Sequence, residues 1–227
     1  MEPTRPQLLL STGIDPDSVD WDLLARFEAG LYEWNQRVNL TRVPRERFFV
    51  RHVIDSLLFQ DLIPSGSRVL DLGTGPGFPA WPLAWARQDL HVTALDSSGK
   101  PLAFLRSQAL PNLEVLQGRA EELGVSESFD VVTGRALAPL AIQLELSASP
   151  CAVGGWVLPL RTASDVSAIE AFDPRVLGLE LVRIERRTLP IEEAARVCPV
   201  YRKIVTTPTD YPRPWAEIRK RPLGSST

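Results

Sequence analysis

Cysteine is scarce in this 227-residue chain: only Cys151 and Cys198 occur, far apart and outside any metal-ligand spacing. Zinc and a disulfide framework are set aside, and both thiols are expected to be buried and free. No apolar run approaches the roughly 18 residues of a membrane span. The opening Met1-Glu2-Pro3-Thr4-Arg5-Pro6 has no apolar stretch of the kind a secretory signal carries. A cytoplasmic protein with neither metal nor membrane partner is expected. Charge of one sign is not dominant either, since the net charge is −3. That excludes a uniformly basic nucleic-acid binder. Histidine is limited to His52 and His91, each read as a structural hydrogen-bonder, so an obvious general acid or base is missing too.

What charge there is falls unevenly. Between residues 37 and 51, Arg37, Arg42, Arg45, Arg47 and Arg51 face only Glu46. From 201 to 227, Arg202, Lys203, Arg213, Arg219, Lys220 and Arg221 face Asp210 and Glu217. A globally acidic chain can therefore still present local phosphate-binding faces; the alternative is two solvated surfaces.

The length suits one α/β domain with an extension. Leu23, Leu24, Phe27, Leu31 and Trp34 recur at helical spacing behind Asp20 or Asp22 as cap. A second helix is expected after Pro44, with an apolar face from Phe48 to Leu58 that ends before Pro64-Ser65-Gly66-Ser67. These form a helical extension over 1–64. From Arg68 onward, strand-like and helical segments alternate, with strands at 68–72, 91–96, 113–117, 129–133 and 156–160. Such alternation predicts a mostly parallel sheet of about seven strands with helices on both faces and ligands at the strands' carboxyl ends. Residues 179–187 and 200–206 lack a helix between them and predict an antiparallel closing pair. The α/β domain is placed at 65–215 and a basic tail at 216–227, with disorder expected at its Ser/Thr-rich end.

Two features mark a nucleoside pocket. Val69-Leu70-Asp71-Leu72 runs into Gly73-Thr74-Gly75-Pro76-Gly77-Phe78-Pro79, and Leu95-Asp96 ends the next strand. Glycines admit positive φ and close backbone approach, and an acid at the second strand end can hold ribose hydroxyls. Dinucleotide enzymes read G-x-G-x-x-G, whereas Gly73, Gly75 and Gly77 read G-x-G-x-G behind Asp71, which favours S-adenosylmethionine over NAD. After the third strand, Gly118-Arg119-Ala120-Glu121-Glu122 offers Glu121 to an adenine edge.

A methyl donor leaves the acceptor open. Exocyclic adenine amines call for an Asp/Asn-Pro-Pro-aromatic turn after the fourth strand, but this strand ends in Gly134-Arg135-Ala136. Pyrimidine carbon needs a cysteine nucleophile. Pro150-Cys151 matches only superficially, because it lies in the link before the fifth strand. Guanine N7 carries a lone pair with no proton to remove and so needs no base. Arg135 is then attractive as a phosphate, donor-carboxylate or O6 contact, or else it forms a salt bridge at the sheet edge. Trp81 and Trp85 are read as packing residues.

Taken together, these residues resemble the bacterial small-subunit rRNA guanine-N7 methyltransferases, the RsmG or glucose-inhibited division protein B family. The likeness is carried by Trp34-Asn35, Asn39-Leu40-Thr41, His52-x-x-Asp55-Ser56-Leu57, the glycine turn and Asp96-Ser97 with Lys100 and Phe104-Leu105. Arg119-Ala120-Glu121, Arg135-Ala136, Tyr211-Pro212-Arg213 and Lys220-Arg221-Pro222-Leu223 complete it. The resemblance implies a Rossmann-like class I fold and methyl transfer from S-adenosylmethionine to N7 of a guanosine in the decoding-region loop of 16S rRNA. The partner would be that rRNA or the small subunit, an assembly intermediate included, and the enzyme a monomer. A non-RNA acceptor or a non-catalytic assembly factor is the alternative. Gly73, Thr74, Gly75, Gly77, Phe78, Asp96, Ala120, Glu121 and Arg135 would bind the cofactor. Arg37, Arg42, Arg47, Arg161, Arg213, Lys220 and Arg221 are the RNA-contact candidates. Two departures stand out: Leu160-Arg161-Thr162 where the family has Lys-Gly, and Ala80 in place of a glycine.

Overall fold

The computed structural model describes residues 2–224. Its first helix, α1 (Arg5–Leu10), is not expected from apolar periodicity. It forms because Thr4 and Gln7 cap each other, the Gln7 N–H donating to the Thr4 hydroxyl and the Thr4 N–H to the Gln7 side chain. Helix α2 (Trp21–Asn35) follows the predicted stripe. Asp20 accepts from the N–H groups of Asp22 and Leu23, both at 2.9 Å, and Leu24, Phe27 and Leu31 turn inward. The single helix expected after Pro44 is instead composite. A 3₁₀ turn (Arg45–Arg47) passes into π-helical winding (Phe49–Ile54), a short α-helical turn α3 (Asp55–Leu57) and a second 3₁₀ turn (Gln60–Leu62). The run of apolar residues here is wider than one 3.6-residue stripe, and the looser winding buries Phe49, Val50, His52, Val53 and Ile54 together.

The seven strands are β1 (Arg68–Leu72), β2 (His91–Asp96), β3 (Leu113–Gln117), β4 (Phe129–Arg135), β5 (Cys151–Thr162), β6 (Leu179–Leu189) and β7 (Ala194–Lys203). They lie in the order β3-β2-β1-β4-β5-β7-β6. The first five are mutually parallel, and β7 runs antiparallel to both β5 and β6. The remaining helices are α4 (Ala80–Ala86), α5 (Gly99–Arg106), α6 (Leu140–Ala148), α7 (Val166–Ala171) and α8 (Trp215–Lys220).

Alternate strand residues serve two cores. Val69, Val131 and Leu158 pack with Phe27, Trp81 and Phe104, so the N-terminal extension shares one core with a sheet face. Phe27 stacks on Trp81 at 4.0 Å. Leu70, Val132 and Val157 pack on the other face with Leu144, Ile169 and Ile218. The two cysteines are buried and free, and burial pushes the Cys151 thiol up to about 12.

Several boundaries differ from the sequence expectation. Strand β4 runs on to Arg135, β5 spans Cys151–Thr162 and β6 runs on to Leu189. The last strand is Ala194–Lys203 rather than 200–206, because a tight β6–β7 connection, with Ile191 and Glu193 at positive φ, sets its register through Leu189 opposite Ala194. Pro159 and Pro199 obscure this in the sequence, since neither can donate to the β5–β7 ladder, which lapses around them. The expected basic tail starts inside α8, whose Ile218 is fully buried. Ser225 to Thr227 lie outside the described residues.

Candidate nucleoside and acceptor sites

The carboxyl ends of β1, β2 and β3 enclose a cavity lined by Gly73, Asp96, Ala120, Glu121, Leu137 and Trp215, among others. The chain turns at the end of β1 because Gly73 and Gly75 adopt φ of 70° and 56°. The N–H groups of Gly73 and Thr74 both donate to the Leu95 carbonyl, at 2.8 and 3.1 Å. Asp96 fixes this turn and its own: one oxygen accepts from the Gly75 N–H and the other from the Ser98 N–H, each at 2.8 Å. A carboxylate has about four acceptor positions, so both oxygens keep room for ribose hydroxyls. Asp71, fully buried, accepts from the Ala80 N–H at 3.0 Å and so ties β1 to the start of α4.

Apolar Leu95, Leu137 and Leu146 with Trp215 give the cavity flat walls, and Glu121 supplies an acceptor at its edge. Arg119 bonds Glu121 at 3.0 Å and lies 5.7 Å from the Trp215 ring. Ribose acceptors, an apolar slot and a polar edge fit an adenosine. Trp215 went unnoticed in the sequence because it lies more than 90 residues from the other lining residues it joins, except Leu137, Ala138 and Leu146.

Of the residues expected at the cofactor, Thr74, Gly75, Gly77, Phe78 and Arg135 do not line this cavity. A Cβ on Gly77 would meet Leu105 at 2.7 Å, so that glycine permits packing. Phe78 is buried in the core behind two residues of a second pocket, stacked on His52 at 4.0 Å with the Arg135 guanidinium 5.4 Å from its ring. This second pocket, about 280 Å³, is lined by Arg51, His52, Asp55, Arg135, Arg161 and Arg196 with apolar neighbours. One chain segment serves both cavities, Arg135 and Ala136 lining the second and Leu137 and Ala138 the first, and Ala136 takes a φ of 53° between them.

The extension builds one wall of that pocket. The Asn35 side-chain carbonyl accepts from the Leu40 and Thr41 N–H groups, at 2.8 and 2.9 Å. The Thr41 hydroxyl lies 2.8 Å from His52 Nε2, and Arg135 reaches His52 Nδ1 at 3.3 Å. Because Arg135 can only donate, Nδ1 is the acceptor and Nε2 carries the proton. Asp55 accepts from Arg196 at 2.7 Å and pairs with Arg135 at 3.5 Å. Burial lowers the Arg135 pKa, and Asp55 and then Asp71 oppose that.

Two of the buried groups beside these cavities, His52 and Asp71, are shifted in ways that couple stability to pH. Burial, helped by Arg135 and Arg51, pulls His52 from 6.5 down to about 3. Burial pushes Asp71 from 3.8 up to about 6. The unfolded chain therefore takes up a proton at His52 that the folded chain refuses, and stability falls as pH drops from 6.5 towards 3. For Asp71 the sign reverses. Between 3.8 and about 6 only the unfolded chain ionises, so rising pH costs about 3 kcal/mol, complete above the folded value. Asp71→Asn is expected to gain stability over the parent across that window, and His52→Gln to flatten the acid limb, both read from denaturation midpoints. Parallel curves for Asp71→Asn and parent would contradict a carboxyl held protonated.

The basic candidates separate. Arg37, Arg42, Lys220 and Arg221 are exposed. Arg47 and Arg51 both donate to Glu192. Arg161 is 7% exposed and bonds Gln143 at 2.5 Å, so it is a pocket-wall residue rather than a surface cation. Arg213 departs furthest from the expected RNA contact. Its backbone N–H and guanidinium grip Glu145 in α6 at 2.6 to 3.0 Å, and Glu145 is fully buried. Lys203 of the same window is buried, donating to the Ala148 carbonyl and the Thr207 hydroxyl. Among the described residues no group of His, Cys, Asp and Glu could hold a metal, and no helix is long and apolar enough to cross a membrane.

Strand order, glycine turn and the acids after β2 and β3 define a Rossmann-like class I methyltransferase. TrmN from Thermus thermophilus shares the fold at a TM-score of 0.54 and 24% identity, over 73% of this chain and 55% of that one. A SAM-dependent methyltransferase from Aquifex aeolicus does so at 0.51 and 14%, over 68% and 92%. Residues 21–187 match the family GidB, rRNA small subunit methyltransferase G. Relatives named Ribosomal RNA small subunit methyltransferase G include those of Caldanaerobacter subterraneus subsp. tengcongensis, 34% identical over 94% of both chains, and Roseiflexus castenholzii, 36% identical over 96% of this chain and 97% of that one. The Bacillus subtilis relative is 35% identical over 85% and 86%. The chain belongs to the rRNA small subunit methyltransferase G family.

Proposed function

We propose that this methyltransferase transfers the methyl of S-adenosylmethionine to N7 of a guanosine in the decoding-region loop of 16S rRNA. The observation that carries the reading is a cavity with ribose and adenine acceptors beside a second pocket, on the same 135–138 segment, whose histidine and carboxylate are already engaged. His52 has both ring nitrogens committed, and Asp55 is shared by two arginines. Guanine N7 suits such a pocket because its attack releases no proton. S-adenosylmethionine supplies a sulfonium-activated methyl, and positioning is the protein's main task.

In this reading Asp96 holds the ribose, Ala120 and Glu121 the adenine edge, and Gly73, Thr74, Gly75 and Gly77 shape the turn. Phe78 and Arg135 border the reacting groups, with Arg135 on the donor carboxylate or guanine O6. Exposed Arg37, Arg42, Lys220 and Arg221 meet RNA phosphates. The domain over 65–215 binds the donor and the extension over 1–64 completes the acceptor side, in a cytoplasmic monomer acting on 16S rRNA or the small subunit, finished or assembling.

Labelled S-adenosylmethionine, offered with protein-free 16S rRNA and with small subunits lacking the modification, tests this. Digestion and mass spectrometry should find 7-methylguanosine in one loop. Label on another nucleoside, or none in RNA despite donor binding, would overturn it. Trp215→Ala should weaken the donor about tenfold by calorimetry, and Trp215→Phe less. An unchanged Kd would remove Trp215 from the donor cavity.

A further inference from the structure

The second pocket carries cationic charge that the fold does not balance. Asp55 is shared by Arg135 and Arg196, and Glu192 by Arg47 and Arg51. Two carboxylates thus serve four guanidiniums. Arg47 and Arg51 even converge on the same Glu192 oxygen, at 3.0 and 2.6 Å, which leaves the rest of each fork unengaged by it. Arg161 adds a fifth cation. Its hydrogen-bond partner is neutral Gln143, Asp165 acts on it only through space, and among the described residues its buried Nε has no partner. A buried charged donor left unpaired costs the fold heavily. Arg51, Arg135, Arg161 and Arg196 all line one pocket, and the residues that follow Arg135 and Ala136, Leu137 and Ala138, line the donor cavity.

We propose that this pocket is a phosphodiester site, in which Arg51, Arg161 and Arg196 hold the backbone of the RNA strand that presents the target guanosine. The inference rests on the rRNA reading above and assigns the place where the strand is gripped. A phosphodiester bears one negative charge and two free oxygens, the geometry that guanidinium forks match. Arg196 lies on β7 of the closing hairpin, so the hairpin and the N-terminal extension contribute to one pocket. Asp55 is the positioning residue: by bonding Arg196 and Arg135 together it holds the phosphate-side and donor-side cations in register. The same positive excess disfavours a methylated, cationic guanine once formed, while the phosphate stays held.

The test uses the full chain with Arg51→Gln and Arg196→Gln. A fragment of the rRNA loop is titrated from about 50 to 200 mM salt, and S-adenosylmethionine is titrated separately. Each variant is expected to bind the RNA about tenfold more weakly and to lower the slope of log K against log salt by about 0.7 to 0.9, as one lost phosphate contact requires. The donor Kd should stay within about twofold, well under the tenfold step of 1.4 kcal/mol. Arg51 is half exposed, so its variant remains informative if Arg196→Gln fails to fold. Weaker donor binding with an unchanged RNA slope would mean that the pocket's anion is the donor carboxylate, and the proposal fails. Parental slopes in both variants, against steep parental RNA binding, would sink the phosphate site alone. A parent with no salt-dependent RNA affinity and no transfer to RNA would sink the rRNA reading itself.

Discussion

Gly73→Ala is expected to cost on the order of a hundredfold in S-adenosylmethionine affinity, about 2.7 kcal/mol, while the sheet stays folded. Gly73 sits at a φ of 70°, where an added Cβ costs roughly 1–2 kcal/mol. The larger effect is steric: a Cβ there would lie against Leu137 Cδ1, too close for any real contact. Leu137 can turn away, but it already lines the donor cavity, so relief of the clash changes the space an adenosine needs. Calorimetry on the variant and on Gly73→Ala/Leu137→Ala separates the two costs. Partial recovery in the double variant supports the steric account, and no recovery assigns the loss to the turn's backbone. Gly75→Ala is the control, because its φ is 56° yet nothing lies within 4 Å of an added Cβ. An equal loss there would point to direct approach of the ligand to the turn rather than to Leu137.

The elements that frame this turn were legible in the sequence because each is signalled locally. Strands β1, β2 and β3 begin and end where expected, bounded by glycine, acid or turn residues. Asp20 caps α2 as its position suggests. Trp81 and Trp85 pack as read, each indole N–H reaching a backbone carbonyl, of Gln108 and of Asp20. What the sequence hid is long-range pairing. Arg196 meets Asp55, and Arg51 meets Glu192, each across 141 residues, and nothing near either partner announces the other. His52 looked like an ordinary helical histidine; stacking on Phe78 and bonding to Thr41 make it the strut between extension and glycine turn. Local charge was a poor guide as well. Lys203 counts towards a basic window, yet it lies two positions from buried Tyr201 on the same side of β7 and shares its burial. The one charged residue in the mostly apolar stretch of α6, Leu140-Ala141-Ile142-Gln143-Leu144-Glu145-Leu146, was the available sign that some distant cation must enter the core.

That cation is Arg213, and Arg213→Ala is expected to lower the melting temperature by about 10 °C, the consequence of roughly 3–5 kcal/mol for breaking a buried ion pair in a chain of this size. Glu145 is 0% exposed and accepts three hydrogen bonds from Arg213. Without them its charge is stranded in the core beneath α8. The link is also mechanical. Arg213 lies two residues before Trp215, so releasing it frees the start of α8, weakens the seat of buried Ile218 and withdraws the indole from the donor cavity. S-adenosylmethionine affinity should therefore fall together with stability. Glu145→Ala/Arg213→Ala, which removes both charges, should regain much of the melting temperature but not the donor affinity, because the helix is still untethered. Had Arg213 been a phosphate contact, as its basic neighbours suggest, the outcome would be the opposite: an unchanged melting temperature, an unchanged donor Kd and a shallower salt dependence of RNA binding. Thermal melts, donor titration and RNA titration on one variant thus decide between a brace and an RNA contact, and three bonds to a fully buried carboxylate favour the brace.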